Sequence, residues 1–381
     1  MRTTLPLLVL CACAIDADKA EDKLQKHLEK AVDRNDDVHH GMLHIDAPAL
    51  GIHGTWAVGE ASPGRDATPN TPFLSASVGK LFTAATVLAL VDEGVLSLDD
   101  GVTDWLPPEI TDDLPVKGGA VERIHLGLLL RQRSGLPDYF GDTGPTKDGA
   151  PTVRDLVTED PDRTWTPETS IAYASEHFAP YAHPGELFGY ADTNYDLLGL
   201  VIEAATGEPF HDVVRSRVID PLGLEHTWYH QHEPAPSDLP ELASCWFDDH
   251  DVTGTGALSV DWAGGGLATT SEDLGRLLRA LQDGDPIELD RLAAGASDDA
   301  ITKGIDYGHG LWLVRTSDLS VLLRGQPDMR GVSGVTGSFA YLIPEHDAVV
   351  TGTFDQTAMA EDHLVFLASK VLPTLARVKS E

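Results

Sequence analysis

Residues 73–100 read FLSASVGKLFTAATVLALVDEGVLSLDD. From Leu81 to Val91 the run is apolar nearly all round, which predicts a buried helix, closed by Gly94. At its head stand Ser77 and Lys80, three residues apart, where a lysine is costly to bury. Positions i and i+3 share a helix face, so the Lys80 amine lies within reach of the Ser77 hydroxyl. A serine hydroxyl is too weak an acid to attack at neutral pH, and a neighbouring base or cation supplies what it lacks. The Ser77 backbone N–H, unpaired at a helix N-terminus, points at developing negative charge and forms half of an oxyanion hole. The spacing alone equally suits an N-cap serine followed by a snorkelling lysine. Context favours nucleophilic chemistry: this is the only S-x-x-K in the chain.

The chain has 381 residues, 42% of them hydrophobic and 23% charged, enough for a substantial globular core. Its net charge of -34 repels phosphates and anionic headgroups and so argues against nucleic acid or an anionic membrane as partner. A high-salt habitat and a merely acidic mesophile both fit that charge. The start MRTTLPLLVLCACAID carries one Arg, an apolar run from Leu5 to Ala14 and A-x-A at Ala12–Ala14. Residues 1–15 therefore read as a secretory leader, or as a lipoprotein leader with a lipid anchor at Cys13, against a structural strand as the plain alternative. Either leader implies a secreted, periplasmic or cell-envelope protein. The run is too short to span a bilayer. Losing it would leave Cys245 without a certain partner, so a disulfide framework and a cysteine zinc site are not expected.

Residues 16–37 read as an amphipathic helix through Leu24, Leu28 and Val32, followed by a hairpin in GMLHIDAPALGIHGTWAVGEAS. Thr103 to Pro167, rich in Pro, Gly and Asp, predicts long loops and short helices. Two helices follow Asn194, the first stopped at Gly207, and a third is expected to start on the cap Ser271. SFAYLIPEHDAVVTGTF predicts two strands about a turn, and EDHLVFLASKVLPTLARV a closing helix. Strands frame the chain and helices fill its middle. The fold class is thus α+β, one catalytic domain over residues 38–375 with a helical insertion at about 100–270.

The nucleophile segment, with LLLRQRSGLPDYF (128–140), PGELFGYADTNYDLLGLVIEAATGEPF (184–210), DPLGLEHTWY (220–229), AGGGLATTSEDLGRLL (263–278) and VSGVTGSFAYLIPEHDAVVTGTF (332–354), resembles the serine beta-lactamase and DD-peptidase superfamily. The branch it resembles holds class C beta-lactamases, D-alanyl-D-alanine carboxypeptidases and related esterases. The resemblance implies an antiparallel sheet flanked by helices with a helical subdomain. It makes Ser77 the acylated nucleophile, Lys80 its partner, and Tyr190 the tyrosine of Y-x-N, a phenol helped by Lys80 to take the Ser77 proton. It also implies that Val335 supplies the second oxyanion N–H and that Asp192, Val332, Ser333 and Gly334 meet substrate.

Two positions depart from the family pattern. Asp192 stands where Y-x-N has its Asn; it binds the Lys80 ammonium but offers no N–H, and opposes ionisation of Tyr190. Val332-Ser333-Gly334 replaces K-T-G or H-x-G, removing the group that would meet a substrate carboxylate. A backbone N–H at Val335 is indifferent to that loss, so ester or uncharged amide hydrolysis stays feasible. The expected function is a serine hydrolase forming an acyl-enzyme on a small-molecule or peptide ester or amide, without metal or organic cofactor. The alternative is a non-catalytic penicillin-binding or sensor protein. His226, His230 and His232 read as a surface loop rather than a metal site, His309 as structural, and oligomeric state is left open.

Overall fold

The computed structural model describes residues 14–379; the proposed leader falls largely on residues 1–13, outside them. Nine strands form one antiparallel sheet: β1 (His40–Ala47), β2 (Ile52–Ser62), β3 (Arg65–Asp66), β4 (Ser297–Thr302), β5 (Ile305–Tyr307), β6 (Trp312–Val314), β7 (Met329–Ser333), β8 (Phe339–Ile343) and β9 (Ala348–Thr353). Their spatial order is β3-β2-β1-β9-β8-β7-β6-β5-β4, so the expected N-terminal hairpin meets the C-terminal one at the β1–β9 seam. Each hairpin is a local pairing; the seam joins residues some 310 apart in sequence, as in Met42↔Thr353.

Side chains on a strand alternate between faces, and here both faces are covered. Phe339, Tyr341 and Ile343 of β8 join one core with Leu43 and Ile45 of β1. Ala340 and Leu342 join the other with Met42 and Val349. That double covering explains why all five residues of β8 are buried. On the first face lie α1 (Ala17–Asp33), which buries Ala20, Leu24 and Leu28, and the C-terminal helical segment through Leu372 and Leu375. Asp16 caps α1 by accepting the Lys19 N–H at 3.0 Å. Ile15 is buried and bridges Val378.

The opposite face carries α2 (Lys80–Asp92), α3 (Thr193–Thr206) and α4 (Ser271–Asp283). Helix α2 buries every residue from Lys80 to Leu90, the consequence of an apolar surface with no polar face. Helix α4 places Leu274, Leu277, Leu278 and Leu281 inward as expected, but its cap is Thr270, not Ser271. The Thr270 side chain accepts the Asp273 N–H, while Ser271 has already entered the helix. Between Thr103 and Pro167 lie only short helices, such as Leu126–Leu130 and Val153–Glu159, joined by loops. Cys245 is buried and unpaired among the described residues, and no helix of theirs is long and apolar enough to cross a membrane.

This arrangement leaves part of one edge of β7 open. Strand β7 pairs with β6 only as far as Gly331↔Trp312, whereas its pairing with β8 runs on to Ser333↔Phe339. The outer edge beyond Gly331 therefore borders a cleft, with the head of α2 on the other side.

Candidate active site

Ser77 is delivered by a backbone held in a conformation that few residues adopt. Ala76 has φ +46°, where a Cβ crowds the following carbonyl. Its neighbour Ser75 is tied on three sides: its N–H donates to Leu267 O at 2.8 Å, its hydroxyl donates to Gly265 O at 2.9 Å, and its carbonyl accepts the Ser338 hydroxyl at 2.7 Å. The glycine run of AGGGL allows this approach, since a Cβ on Gly265 would stand 2.1 Å from the Ala76 carbonyl oxygen. Ser77 then sits in a short 3₁₀ turn, Ala76–Gly79, that runs into α2, rather than on the α-helix itself as expected. In a 3₁₀ turn residues i and i+3 eclipse, which aligns Lys80 under Ser77.

Lys80 is fully buried, and its ammonium has three oxygen partners. They are Ser77 Oγ at 3.1 Å, Gly264 O at 2.9 Å and Asp192 Oδ1 at 2.5 Å. The rings of Tyr190 and Tyr195 stand 5.1 and 5.3 Å from Nζ. Burial by itself lowers an amine's pKa; the Asp192 carboxylate, Tyr190 and Asp261 outweigh it and hold Lys80 well above its ordinary value. The expected Asp192–Lys80 ion pair is therefore present. Tyr190 is half-buried and lines the same cleft as Ser77. Burial pushes its phenol far up, and Lys80 offsets this only in part. Lys80 does lower the phenol, as expected, but desolvation is the larger effect, and Tyr190 is a neutral phenol at rest.

The structure brings Ser77, Tyr190, Asp192 and Val335 around one inner cleft and Ser77, Tyr190, Ser333, Gly334 and Val335 around an outer one. Among the described residues no hydrogen bond takes the N–H of Ser77 or of Val335. Val332 is the exception. Strand alternation turns it away from the cleft into the helix-side core, opposite Ala340, so it does not meet substrate as expected.

Two carboxyls escaped the sequence reading. Asp138, in LPDYF, is fully buried and accepts the Asp192 N–H at 2.8 Å and the Asp142 N–H at 2.9 Å. It thereby fixes the turn that aims Asp192 at Lys80. Burial, then the facing Asp192, push it well above the ordinary carboxylate range. Asp261 lines the inner cleft and is pushed up to about 7 by burial, Lys80 pulling it down and Asp192 up. No local pattern marks either residue, because their environment is made by segments distant in sequence.

Asp261 has a consequence for stability. Between its ordinary value of 3.8 and about 7 the folded protein keeps a proton that the unfolded chain has lost. Its contribution is fully present at low pH and is lost as pH rises through that window, by about 1.4 kcal/mol per pH unit at most. Asp261→Asn is expected to remove this downward slope between pH 4 and 7, read from denaturant midpoints; a slope equal to the wild type's would refute the assignment.

Comparison with known proteins agrees with this geometry. The beta-lactamase family model matches residues 35–365. Penicillin-binding protein 4* of Bacillus subtilis is 25% identical over 312 residues, which cover 77% of this chain and 64% of that protein. The chain thus spans less than two thirds of that relative's length. Among solved structures, D-amino acid amidase from Ochrobactrum anthropi superposes with a TM-score of 0.72 at 24% identity, covering 93% of this chain and 99% of that one. The hydrolase EstCE1 does so with a TM-score of 0.74 at 20% identity, covering 95% and 99%. With a family match across most of its length and the same fold around the S-x-x-K turn, the chain belongs to the beta-lactamase family.

Proposed function

We propose that this protein is a serine hydrolase that forms an acyl-enzyme at Ser77 on an ester or uncharged amide and releases it with water. The observation that carries the reading is the buried Lys80 ammonium, held 3.1 Å from the Ser77 hydroxyl by Asp192. Fully protonated, Lys80 has no lone pair to offer. Loss of a proton to solvent leaves a neutral amine that takes the Ser77 proton as Oγ bonds to the substrate carbonyl carbon. The carbonyl oxygen becomes an oxyanion facing the N–H groups of Ser77 and Val335. Neutral Tyr190 protonates the leaving group as the C–O or C–N bond breaks, and Lys80 returns a proton to it. Water then enters and repeats the sequence on the acyl-enzyme.

The inner cleft supplies a place for the acyl half. Its wall combines Phe140, Val157, Phe247 and Leu258 with the Thr336 hydroxyl, which is buried and unpartnered among the described residues. An apolar acyl group that offers one hydrogen-bonding atom fits that wall. The names of the structural neighbours, an amidase and a hydrolase with promiscuous acyltransferase activity, fit acyl transfer of this kind. A panel of p-nitrophenyl esters, D-amino acid amides, nitrocefin and D-alanyl peptides tests the reading. Turnover of esters or amides is expected; turnover of none, with no covalent adduct, would instead fit a non-catalytic binding protein.

Asp192 gives the sharper prediction. Its carboxylate holds the Lys80 pKa up, so Asp192→Asn is expected to lower it. The rising limb of the kcat/KM pH profile, which reports formation of the neutral amine, moves to lower pH by the same amount. Amide and beta-lactam turnover at pH 7 rises accordingly. An unmoved limb, or lower rates at every pH, would refute the role given to this ion pair.

A further inference from the structure

Ser333, two residues before Val335, lines the outer cleft and stands at the centre of a buried relay. The Tyr341 hydroxyl of β8 is 2.7 Å from Ser333 Oγ. On the other side, Nε2 of His363, in the helix Asp362–Phe366, is 2.5 Å from the same oxygen. Nδ1 of His363 lies 2.8 Å from the Met359 carbonyl oxygen. A carbonyl oxygen only accepts, so Nδ1 carries the ring proton and Nε2 presents its lone pair. Ser333 therefore donates its single proton to Nε2 and accepts the proton of Tyr341. Burial keeps the imidazole neutral at working pH, its pKa lowered to about 4. The Phe339 ring stacks parallel to it at 6.0 Å.

The direction of this relay decides what the cleft accepts. With its proton committed, Ser333 turns only a lone pair toward substrate. The outer cleft is lined further by Tyr181, Phe188, Ile301 and Trp312; among the described residues it has one acid, Asp142, and no lysine, arginine or histidine. A carboxylate there meets a lone pair and no cation. Taking the Ser333 proton for itself would leave the buried Nε2 unpaired, a cost of roughly ten- to a hundredfold in affinity. An N–H donor meets a ready acceptor.

We propose that His363 is a positioning residue that fixes Ser333 as a hydrogen-bond acceptor, so that the outer cleft selects leaving groups that are uncharged or carry N–H and excludes those bearing a carboxylate. The proposal rests on the acyl-enzyme reading above and extends it to the leaving group.

The test uses two phenylacetyl esters that differ in one group, those of 3-hydroxybenzamide and 3-hydroxybenzoate. The wild type is expected to favour the amide-bearing ester by roughly tenfold or more in kcat/KM. His363→Phe keeps a ring against Phe339 and frees the Ser333 proton, so the preference should narrow about tenfold. Ser333→Ala in that background should abolish the gain on the carboxylate ester. His363→Gln, whose side-chain oxygen can take the same proton, should keep the wild-type ratio. Nitrogen-15 spectra of the wild-type histidines should show His363 neutral and protonated on Nδ1 at pH 7. The spectra use the wild type and so test the proposal even where a variant fails to fold. Equal wild-type rates on the two esters with Ser77 acylated, an unchanged ratio in a folded His363→Phe, or a proton on Nε2 would each overturn the proposal alone. Failure to hydrolyse either ester, with Ser77 unlabelled, would overturn the hydrolase reading and the leaving-group selection together.

Discussion

Ser77→Ala is expected to cut ester turnover on the order of 10⁴- to 10⁶-fold while leaving the fold intact. The oxygen it removes lies 3.1 Å from Lys80 Nζ, in the cleft that Ser77 and Val335 both line. Without it no covalent intermediate forms, and the oxyanion donors act only on whatever water reaches the carbonyl. The stability cost should stay within about 1 kcal/mol, because Ser77 is partly exposed and accepts a single hydrogen bond from Lys80. Intact mass after incubation with a fluorophosphonate and with a labelled penicillin checks the prediction. The wild type should gain one fluorophosphonate adduct and the variant none. An adduct on the variant, or residual turnover above one per cent, would place the nucleophile elsewhere.

Lys80→Met is expected to damage both chemistry and folding, and the two losses can be separated. Losing the base should lower kcat roughly 10²- to 10⁴-fold. Methionine nearly matches the lysine stem in volume, so packing against Tyr190 and Tyr195 changes little. The larger structural cost is electrostatic. Asp192 loses the ammonium at 2.5 Å, and Asp261 loses the cation that offsets its repulsion by Asp192. Breaking a buried pair typically costs about 3–5 kcal/mol; because 16% of the Asp192 side chain is exposed, the lower end is expected here. Lys80→Met with Asp192→Asn removes both charges and should recover most of that stability without recovering activity. Equal destabilisation of the single and double variants would show that the cost lies in packing. Full activity in either would show that Lys80 is not the base.

Much of the fold was legible because its signals are local. The hairpins β1–β2 and β8–β9 announce themselves by alternation about a turn, and α1 and α4 by leucines at helical spacing. One cap was misplaced by a residue, since Thr270 and Ser271 are equally competent acceptors and only the backbone angle at Thr270 distinguishes them. Val332 was misassigned for a related reason. A motif gives positions along a strand, whereas which side chain faces the cleft depends on where the strand sits between two packed layers.

What the sequence determined by itself is the proximity of Ser77 and Lys80: three residues apart at the head of an apolar helix, they meet whichever helical turn forms, 3₁₀ or α. What only the tertiary structure decided is the protonation of the site. The state of Lys80, Tyr190, Asp138, Asp261 and His363 depends on how much water each has lost and which charges stand opposite, and those partners arrive from segments tens to hundreds of residues away. Hydrogen-bond direction follows the same rule. Ser333 is an acceptor because a helix from the far end of the chain brings an imidazole lone pair to its proton.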